Sequence, residues 1–267
     1  MGFQTMDNIK NKTVLITGAA SGIGFTYAQK LLQNGAKAVA ILDLATSPGQ
    51  MSATTLEREF GKGKAIFFPC DVTNTEELAE TFKKVWNVWN GLDIVINNAG
   101  MFNDKKWEET IRVNVNGVIQ GSLLAMDLMS KHKGGKGGTI VNISSIVGLK
   151  PFKMCPVYCA SKHAVMAFSL ALQESWERTG VRVLVMCPGV TATTLLSNIE
   201  EKILHFVDSE ETRTFLSSLP SQPTENVAQA VVTLIQKGKN GSVWVSEDNQ
   251  PPFGVEFVPV KKIELNL

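Results

Sequence analysis

Short apolar runs alternate along the chain with longer stretches in which apolar residues recur at helical spacing. The runs resemble buried strands and lie at 13–17, 38–42, 65–68, 92–96, 139–144, 181–187 and 242–245. The helical patterns lie at 23–33, around 78–86, at about 107–131, from Pro156 onward, and near 224–237. This alternation predicts an α/β Rossmann fold, with a doubly wound parallel sheet of about seven strands and helices on both faces.

No linker, charge block or low-complexity segment divides the chain, so we expect residues 1–267 to form a single domain with its core at about 10–245. Two regions fall outside the alternation. Residues 191–222 carry spaced apolar side chains, among them Leu195, and are expected to cover a hydrophobic substrate pocket. A helical pair that merely packs on the body is the alternative. Residues 247–267 form a tail that contains Pro251-Pro252-Phe253-Gly254, with alternating apolar residues beyond it.

A glycine-rich turn between the first strand and the first helix is the first chemical signal. Gly18 permits a tight turn, while Gly22 and Gly24 allow the backbone to approach a diphosphate and the helix to approach the sheet. The helix that begins at Ile23, after Ser21, offers free N–H groups and partial positive charge to an anion. This position between strand and helix predicts dinucleotide binding.

Asp43 stands at the end of the second predicted strand, 19 residues after Gly24, and is followed by Leu44. A carboxylate there accepts hydrogen bonds from the adenosine ribose and repels a 2′-phosphate. No Arg or Lys lies in the turn or directly after Asp43. NAD is therefore favoured over NADP, although a solvated acid at a strand end is the alternative.

Tyr158 and Lys162 lie four residues apart, so a helix that begins near Pro156 places them on one face. Ser145, at the end of the fifth apolar run, is expected to hydrogen-bond the reacting oxygen. Lys162 is expected to favour the phenolate, so that Tyr158 serves as a general base. Ser144 competes with Ser145 for this role, and Ser145 itself has the alternative of capping a loop.

Together these residues resemble the classical short-chain dehydrogenases/reductases. The shared motifs are Thr17-Gly18-x-x-x-Gly22-x-Gly24, Asn97-Asn98-Ala99-Gly100, Asn114, Ser145, Tyr158-x-x-x-Lys162 and Pro188-Gly189. The resemblance implies that Asp71 and Val72 border the adenine, that Asn98 lines the cofactor groove, and that Val190 and Thr193 hold the nicotinamide carboxamide. It implies that Asn114 holds a water next to Lys162, with a helix-interior amide bonded to backbone as the alternative. It also implies a homodimer or homotetramer.

The candidate site residues form three groups. The catalytic candidates are Asn114, Ser145, Tyr158 and Lys162. The cofactor candidates are Gly18, Ser21, Gly22, Ile23, Gly24, Asp43, Leu44, Asp71, Val72, Asn98, Ala99, Gly100, Tyr158, Lys162, Pro188, Gly189, Val190 and Thr193. The substrate candidates are Ser145, Cys155, Tyr158 and Leu195. No metal site is expected.

Within the family, segments 97–138 and 156–163 look like 15-hydroxyprostaglandin dehydrogenases, and segment 223–244 looks like insect alcohol dehydrogenases. The prostaglandin enzymes carry a substrate-contacting glutamine where this chain has Cys155, and a phenylalanine where it has Val190. The expected substrate is therefore an apolar alcohol or ketone of lipid, terpenoid, steroid or prostanoid type. An NADPH-dependent carbonyl reductase and a non-catalytic dinucleotide-binding regulator are the competing functions.

Composition limits partners and location. The chain has 26 basic and 25 acidic residues, so its net charge of +1 gives no reason to expect a nucleic-acid partner. No apolar run approaches the roughly 20 residues that span a bilayer. The four cysteines lack metal-ligand or C-x-x-C spacing, and Cys155 and Cys159 are not expected to form a redox pair. Reduced, mostly buried thiols and a cytoplasmic location are expected.

Overall fold

The computed structural model describes residues 9–257. Its strands are β1 (Thr13–Thr17), β2 (Ala38–Asp43), β3 (Ala65–Pro69), β4 (Ile94–Asn97), β5 (Gly138–Ile143), β6 (Val181–Pro188), β7 (Val243–Ser246) and β8 (Phe253–Val255). Its α-helices are α1 (Gly22–Gln33), α2 (Gly49–Phe60), α3 (Thr75–Trp89), α4 (Trp107–Ile111), α5 (Val118–Met129), α6 (Pro156–Leu172), α7 (Trp176–Thr179), α8 (Ser209–Ser218) and α9 (Thr224–Lys237).

The eight strands form one sheet in the order β3-β2-β1-β4-β5-β6-β7-β8. All neighbouring pairs from β3 to β7 are parallel, and β8 alone runs antiparallel to β7. The predicted mostly parallel sheet with helices on both faces is confirmed. The predicted count of about seven strands is roughly right, and the additional strand is β8, which was not predicted.

Successive side chains of the central strands enter two different cores, which explains why the strands are apolar throughout. In β1, Val14 and Ile16 pack with residues of α1 and α9, such as Tyr27 and Val231. Leu15, between them, packs with residues of α3 and α5, such as Phe82. Helix layers therefore cover both faces of the sheet and leave its carboxyl-terminal edge for the loops.

Three elements differ from the sequence predictions. Helix α2 was not predicted, because the side it buries carries small and polar residues, including Ser52 and Ala53, with Leu56 as its one large apolar member. Strand β8 was taken as part of an irregular tail, and it is a short, largely exposed edge strand. The rest of that predicted tail, residues 258–267, lies outside the described residues.

The predicted helix at 107–131 is the third difference. It is interrupted by a π-helical segment, Arg112–Gly117, between α4 and α5. Such segments often occur at functional sites, and this one contains Asn114. No helix within residues 9–257 combines the length and the apolar character needed to cross a bilayer.

Candidate active site

A cavity of about 740 Å³ lies along the carboxyl-terminal edge of the sheet. Strand order reverses there, because β1 continues to β2 on one side and β4 leads to β5 on the other. Such a switch point separates the loops and opens a crevice that binds ligands in α/β sheets. Every cofactor and substrate candidate from the sequence lines this cavity, whereas the catalytic candidate Asn114 is buried outside its lining.

The glycine turn requires glycine for two different reasons. Gly18 and Gly22 have φ of +65° and +55°, in the left-handed region that side chains disfavour. A Cβ on Gly24 would lie 2.2 Å from the Gly18 carbonyl oxygen, so α1 approaches the turn as closely as a glycine permits. Close packing of this kind is what the third glycine of a dinucleotide turn provides.

The first turn of α1 is arranged to receive an anion. Ser21 is the N-cap, but its side chain makes no capping hydrogen bond, and no acidic residue lies in the first turn. The first N–H groups of a helix have no partner within the helix. A diphosphate therefore fits the chemistry of this turn.

Asn98 attaches the glycine turn to the end of β4. Its side-chain amide donates to the carbonyls of Thr17 (2.9 Å) and Gly18 (3.0 Å). The Thr17 hydroxyl accepts from the backbone N–H groups of Asn98 and Ala99, both at 3.0 Å. Asn98 therefore fixes the shape of the turn from across the switch point.

The Asp43 carboxylate is positioned by two backbone donors. Ala20 N–H donates to one of its oxygens at 3.0 Å, and Leu44 N–H donates to the other at 2.8 Å. A carboxylate accepts about four hydrogen bonds, so each oxygen retains capacity for a further donor. Across the cavity mouth, Asp71 is held similarly by the Thr73 N–H and hydroxyl, each at 2.9 Å.

Tyr158, Lys162 and Ser145 meet in the middle of the cavity. Lys162 is 4% exposed, its Nζ lies 5.6 Å from the centroid of the Tyr158 ring, and it donates to the Ile143 carbonyl at 3.0 Å. Ser145 is close enough to Tyr158 for their hydrogen bond to favour the phenolate. Phe102 packs on the Tyr158 ring with a centroid distance of 5.0 Å. The predicted one-face arrangement on α6 is present.

The sequence predicts that Lys162 favours the phenolate form of Tyr158. In the protein chain by itself, the pKa of Tyr158 shifts in the opposite direction. Burial, followed by the charges of Cys155 and Cys159, raises the pKa of Tyr158 above its usual value, and the Ser145 hydrogen bond offsets this in part. Burial also lowers the pKa of Lys162 to about 8. The amine therefore loses part of the positive charge that was expected to stabilise the phenolate.

Ser144 and Ser145 point to different partners. The Ser144 hydroxyl is buried and donates to the Lys162 carbonyl at 2.9 Å. The Ser145 hydroxyl makes longer contacts, with the Pro188 carbonyl (3.4 Å) and the Val147 N–H (3.3 Å). The geometry thus favours Ser145 as the hydroxyl that can turn toward a ligand.

Asn114 uses its side chain for structural contacts. Its oxygen accepts from Met101 N–H at 2.8 Å, and its amide donates to the Met101 carbonyl (2.9 Å) and the Ser161 hydroxyl (3.1 Å). These bonds match the alternative of a helix-interior amide bonded to backbone. The predicted role of Asn114 in holding a water beside Lys162 stays a prediction.

Asp104 is a site residue that the sequence did not reveal. It is fully buried, and its two oxygens accept from the N–H groups of Val157 (2.8 Å) and Tyr158 (2.9 Å). Burial raises the pKa of this carboxyl, and the two backbone hydrogen bonds oppose the rise. Asp104 thus fixes the first turn of α6, but it lies more than 50 residues away, beyond any local capping signal.

Several apolar side chains of the cavity lining belong to one hydrophobic cluster. Phe102, Met154 and Cys155 form one part of the cavity wall, and Leu195 and Leu216 of the 191–222 segment form another. That segment contains short 3₁₀ turns and α8, and it packs on the body through Ile199 and Ile203, among other residues. This segment contributes side chains to the cavity lining as well as packing on the body, and its role as the wall of a substrate pocket stays a prediction.

Comparison with known proteins identifies relatives of the chain. The family model described as short chain dehydrogenase matches residues 12–204. The rat (Rattus norvegicus) 15-hydroxyprostaglandin dehydrogenase [NAD(+)] is 44% identical over 197 residues, which cover 73% of this chain and 74% of that protein. Alcohol dehydrogenase 1 of Ceratitis capitata is 33% identical and covers 90% and 93% of the two chains.

A solved structure is similar throughout most of its length. A short-chain type dehydrogenase/reductase from Mycobacterium ulcerans matches with a TM-score of 0.75 at 26% identity, and 90% of each chain is covered. Within residues 9–257, no group of three or more His, Cys, Asp or Glu side chains is placed to hold a metal ion.

Proposed function

Because the chain belongs to the short-chain dehydrogenase family, we propose that it transfers hydride between an apolar alcohol and NAD. One observation carries this proposal. Ser145, Tyr158 and Lys162 line the same cavity as the glycine turn and Asp43. A proton acceptor and a dinucleotide site thus share one space, which an alcohol dehydrogenase needs.

Asp43, Asn98 and the first turn of α1 are the residues that would hold the cofactor. The uncapped helix N-terminus suits a diphosphate, and Asp43 keeps acceptor capacity for ribose hydroxyls. The cations that line the cavity are Lys162, deep on α6, and Arg112, on the π-helical segment. The name of the 44% identical relative also includes NAD(+). When bound, NAD supplies a hydride acceptor that carries positive charge.

The chain itself handles the substrate proton. Tyr158 removes the hydroxyl proton of the alcohol as the general base, and Ser145 hydrogen-bonds the reacting oxygen. Lys162, whose pKa burial lowers to about 8, passes a proton between Tyr158 and solvent. Asn114 is a positioning residue that links the π-helical segment to Ser161 on α6.

The substrate is proposed to be a lipid, terpenoid, steroid or prostanoid-like alcohol. The wall formed by Phe102, Met154, Leu195 and Leu216 has no charged member and favours an apolar chain or ring system. Cys155 replaces the glutamine of the prostaglandin enzymes in this wall. We therefore propose that the cavity selects alcohols that carry a hydrophobic group, and that it does not select prostaglandins in particular.

A panel of alcohols tests the proposal directly. We expect isoprenoid, steroid or long-chain secondary alcohols to produce reduced nicotinamide absorbance with NAD, and short aliphatic alcohols to react at least about tenfold more slowly, because each buried methylene contributes about 0.8 kcal/mol. Each alcohol is assayed in parallel with NAD and with NADP. If the protein turns over only ketones with NADPH, and no alcohol with NAD, it is a carbonyl reductase and the proposal is wrong.

A second test concerns Asp104 as a positioning residue. We expect Asp104→Ala to lower kcat by about tenfold, since a small displacement of Tyr158 is costly to the reaction. It should also destabilise the fold by about 1–2 kcal/mol, the typical value of a lost helix cap. Steady-state kinetics and thermal unfolding measure the two effects.

Two variants separate positioning from stability. Asn74, the N-cap of α3, accepts from Glu77 N–H at 3.1 Å on an exposed surface, so Asn74→Ala should reduce stability and leave kcat unchanged. Asp104→Asn keeps one acceptor oxygen and should recover most of kcat. Equal kcat losses in the Asp104→Ala and Asn74→Ala variants would contradict the positioning role.

We also propose a single domain that assembles as a homodimer or homotetramer in the cytoplasm. The assembly rests on resemblance to the family alone. The location is supported by the four cysteines, all free thiols, which suit a reducing compartment.

A further inference from the structure

Two cysteines contact each other on either side of Tyr158. Cys155 is the N-cap of α6, with φ −144° and ψ 60°, and Cys159 lies one turn later inside the helix. Their sulfur atoms are 3.6 Å apart. Cys155 is not in helical conformation, so the four-residue spacing alone, which predicts contact within a regular helix, did not establish this contact.

The two thiols differ in their hydrogen-bond surroundings. The Cys159 sulfur accepts from Phe152 N–H at 3.2 Å. The hydrogen bond with Cys155 and then that with Phe152, helped by the charge of His163, lower the pKa of Cys159 to about 7 against the effect of burial. The same hydrogen bond and burial raise the pKa of Cys155. A thiolate next to a protonated thiol is the arrangement of an attacking and a resolving cysteine.

The pair also lies between two groups of cavity-lining residues. Cys155 lines the main cavity beside Met154 and Tyr158. Cys159 lines a second concavity on the outer surface, formed with Pro151, Phe152 and His163, among others. The two contacting cysteines therefore line different concavities, although each residue is at most 4% exposed.

We propose that Cys155 and Cys159 are a peroxide-oxidisable dithiol that closes to an intramolecular disulfide. The Cys159 thiolate attacks a hydroperoxide ROOH, its sulfur gains the terminal oxygen as sulfenic acid, and ROH leaves after protonation. The Cys155 thiol then attacks the Cys159 sulfur and expels water. Two thiols and one hydroperoxide thus give one disulfide, one ROH and one water.

Closing the bond requires the sulfurs to approach by about 1.5 Å, to the usual S–S length of about 2.05 Å. Tyr158 lies between the two cysteines in the same turn, and its N–H is held by Asp104. A shift of this turn moves the phenol relative to Ser145 and draws the Cys155 side chain out of the cavity wall. The expected consequence is slower catalysis, and this consequence alone rests on the proposed function.

The experiment exposes the full-length protein to hydrogen peroxide, denatures it, alkylates it with iodoacetamide and digests it with trypsin. Cleavage after Lys153 and Lys162 places both cysteines in one peptide, 154–162. We expect this peptide to become two hydrogen masses lighter and to carry no alkyl group, and dithiothreitol to reverse both changes. With a substrate from the panel, kcat should fall about tenfold and recover on reduction.

Variants and internal controls make the outcome decisive. Cys155→Ser and Cys159→Ser should each prevent the disulfide, while Cys70→Ser should leave it unchanged. Cys70 and Cys187, whose pKa values burial raises to about 11 and about 12, should remain alkylated throughout. Full alkylation of both cysteines in peptide 154–162, or irreversible over-oxidation of Cys159, overturns the proposal. If no alcohol is turned over, the alkylation pattern still decides it.

Discussion

Tyr158→Phe is expected to lower kcat by about 10²–10⁴-fold, the usual contribution of a general base. The substitution removes one oxygen and keeps the ring that packs on Phe102, so the fold and the cavity remain. NAD affinity, measured by fluorescence or calorimetric titration, should be retained because the glycine turn and Asp43 are unchanged. Loss of turnover with retained binding distinguishes an enzyme from a dinucleotide-binding regulator.

The chain provides a matched control for this substitution. Its second tyrosine, Tyr27 on α1, is fully buried, and its hydroxyl has no hydrogen-bond partner within the described structure. Tyr27→Phe removes the same atom from a residue outside the cavity lining and relieves an unsatisfied polar group. We expect it to keep kcat and to be neutral or stabilising. A Tyr158→Phe protein as active as Tyr27→Phe would remove Tyr158 from the mechanism.

The pH profile gives a second measure of the same group. The chain raises the pKa of Tyr158 through burial and the neighbouring cysteines. The phenolate is therefore favoured by rising pH, and kcat/KM for alcohol oxidation should increase with pH until the base is fully ionised. Reduction of a ketone needs the protonated phenol, so its rate should decline over the same range.

The sequence predicts those parts of the fold that depend on local pattern. Continuous apolar runs marked β1 to β7, because each strand is covered on both faces. The pattern did not mark α2, whose buried side is small and polar, or β8, which packs at an exposed edge. Contacts with neighbouring elements, rather than an apolar periodicity of their own, determine where α2 and β8 form.

The candidate site likewise contains residues that the local sequence pattern predicts and residues that it does not. The glycine turn, Asp43 and the Tyr158–Lys162 pair were found because local spacing and position place them at strand ends or on one helical face. Asp104 and the contact between Cys155 and Cys159 were missed. The first depends on a partner 54 residues away, and the second depends on the non-helical backbone of an N-cap residue. Tertiary placement determines both.

Cofactor selection should depend on the charge of Asp43. We expect the wild type to prefer NAD, and Asp43→Asn to reduce the ratio of kcat/KM for NAD to that for NADP by about a hundredfold. A like charge against a 2′-phosphate costs several kcal/mol, and 1.4 kcal/mol corresponds to tenfold. The amide oxygen of asparagine can keep one of the bonds from Ala20 and Leu44, so the loop is largely preserved.

Asp71 supplies the matched control, since it is a carboxylate in the same cavity that is also held by nearby donors. Its oxygen is occupied by Thr73, and it was expected to border the adenine rather than the ribose. Asp71→Asn should therefore change the cofactor ratio by less than about threefold, which corresponds to well under 1 kcal/mol. Equal changes of the cofactor ratio in the two variants would mean that the overall negative electrostatic potential of the cavity, rather than Asp43 in particular, selects the cofactor. A shift confined to Asp43→Asn would assign the selection to a single carboxylate at the end of β2.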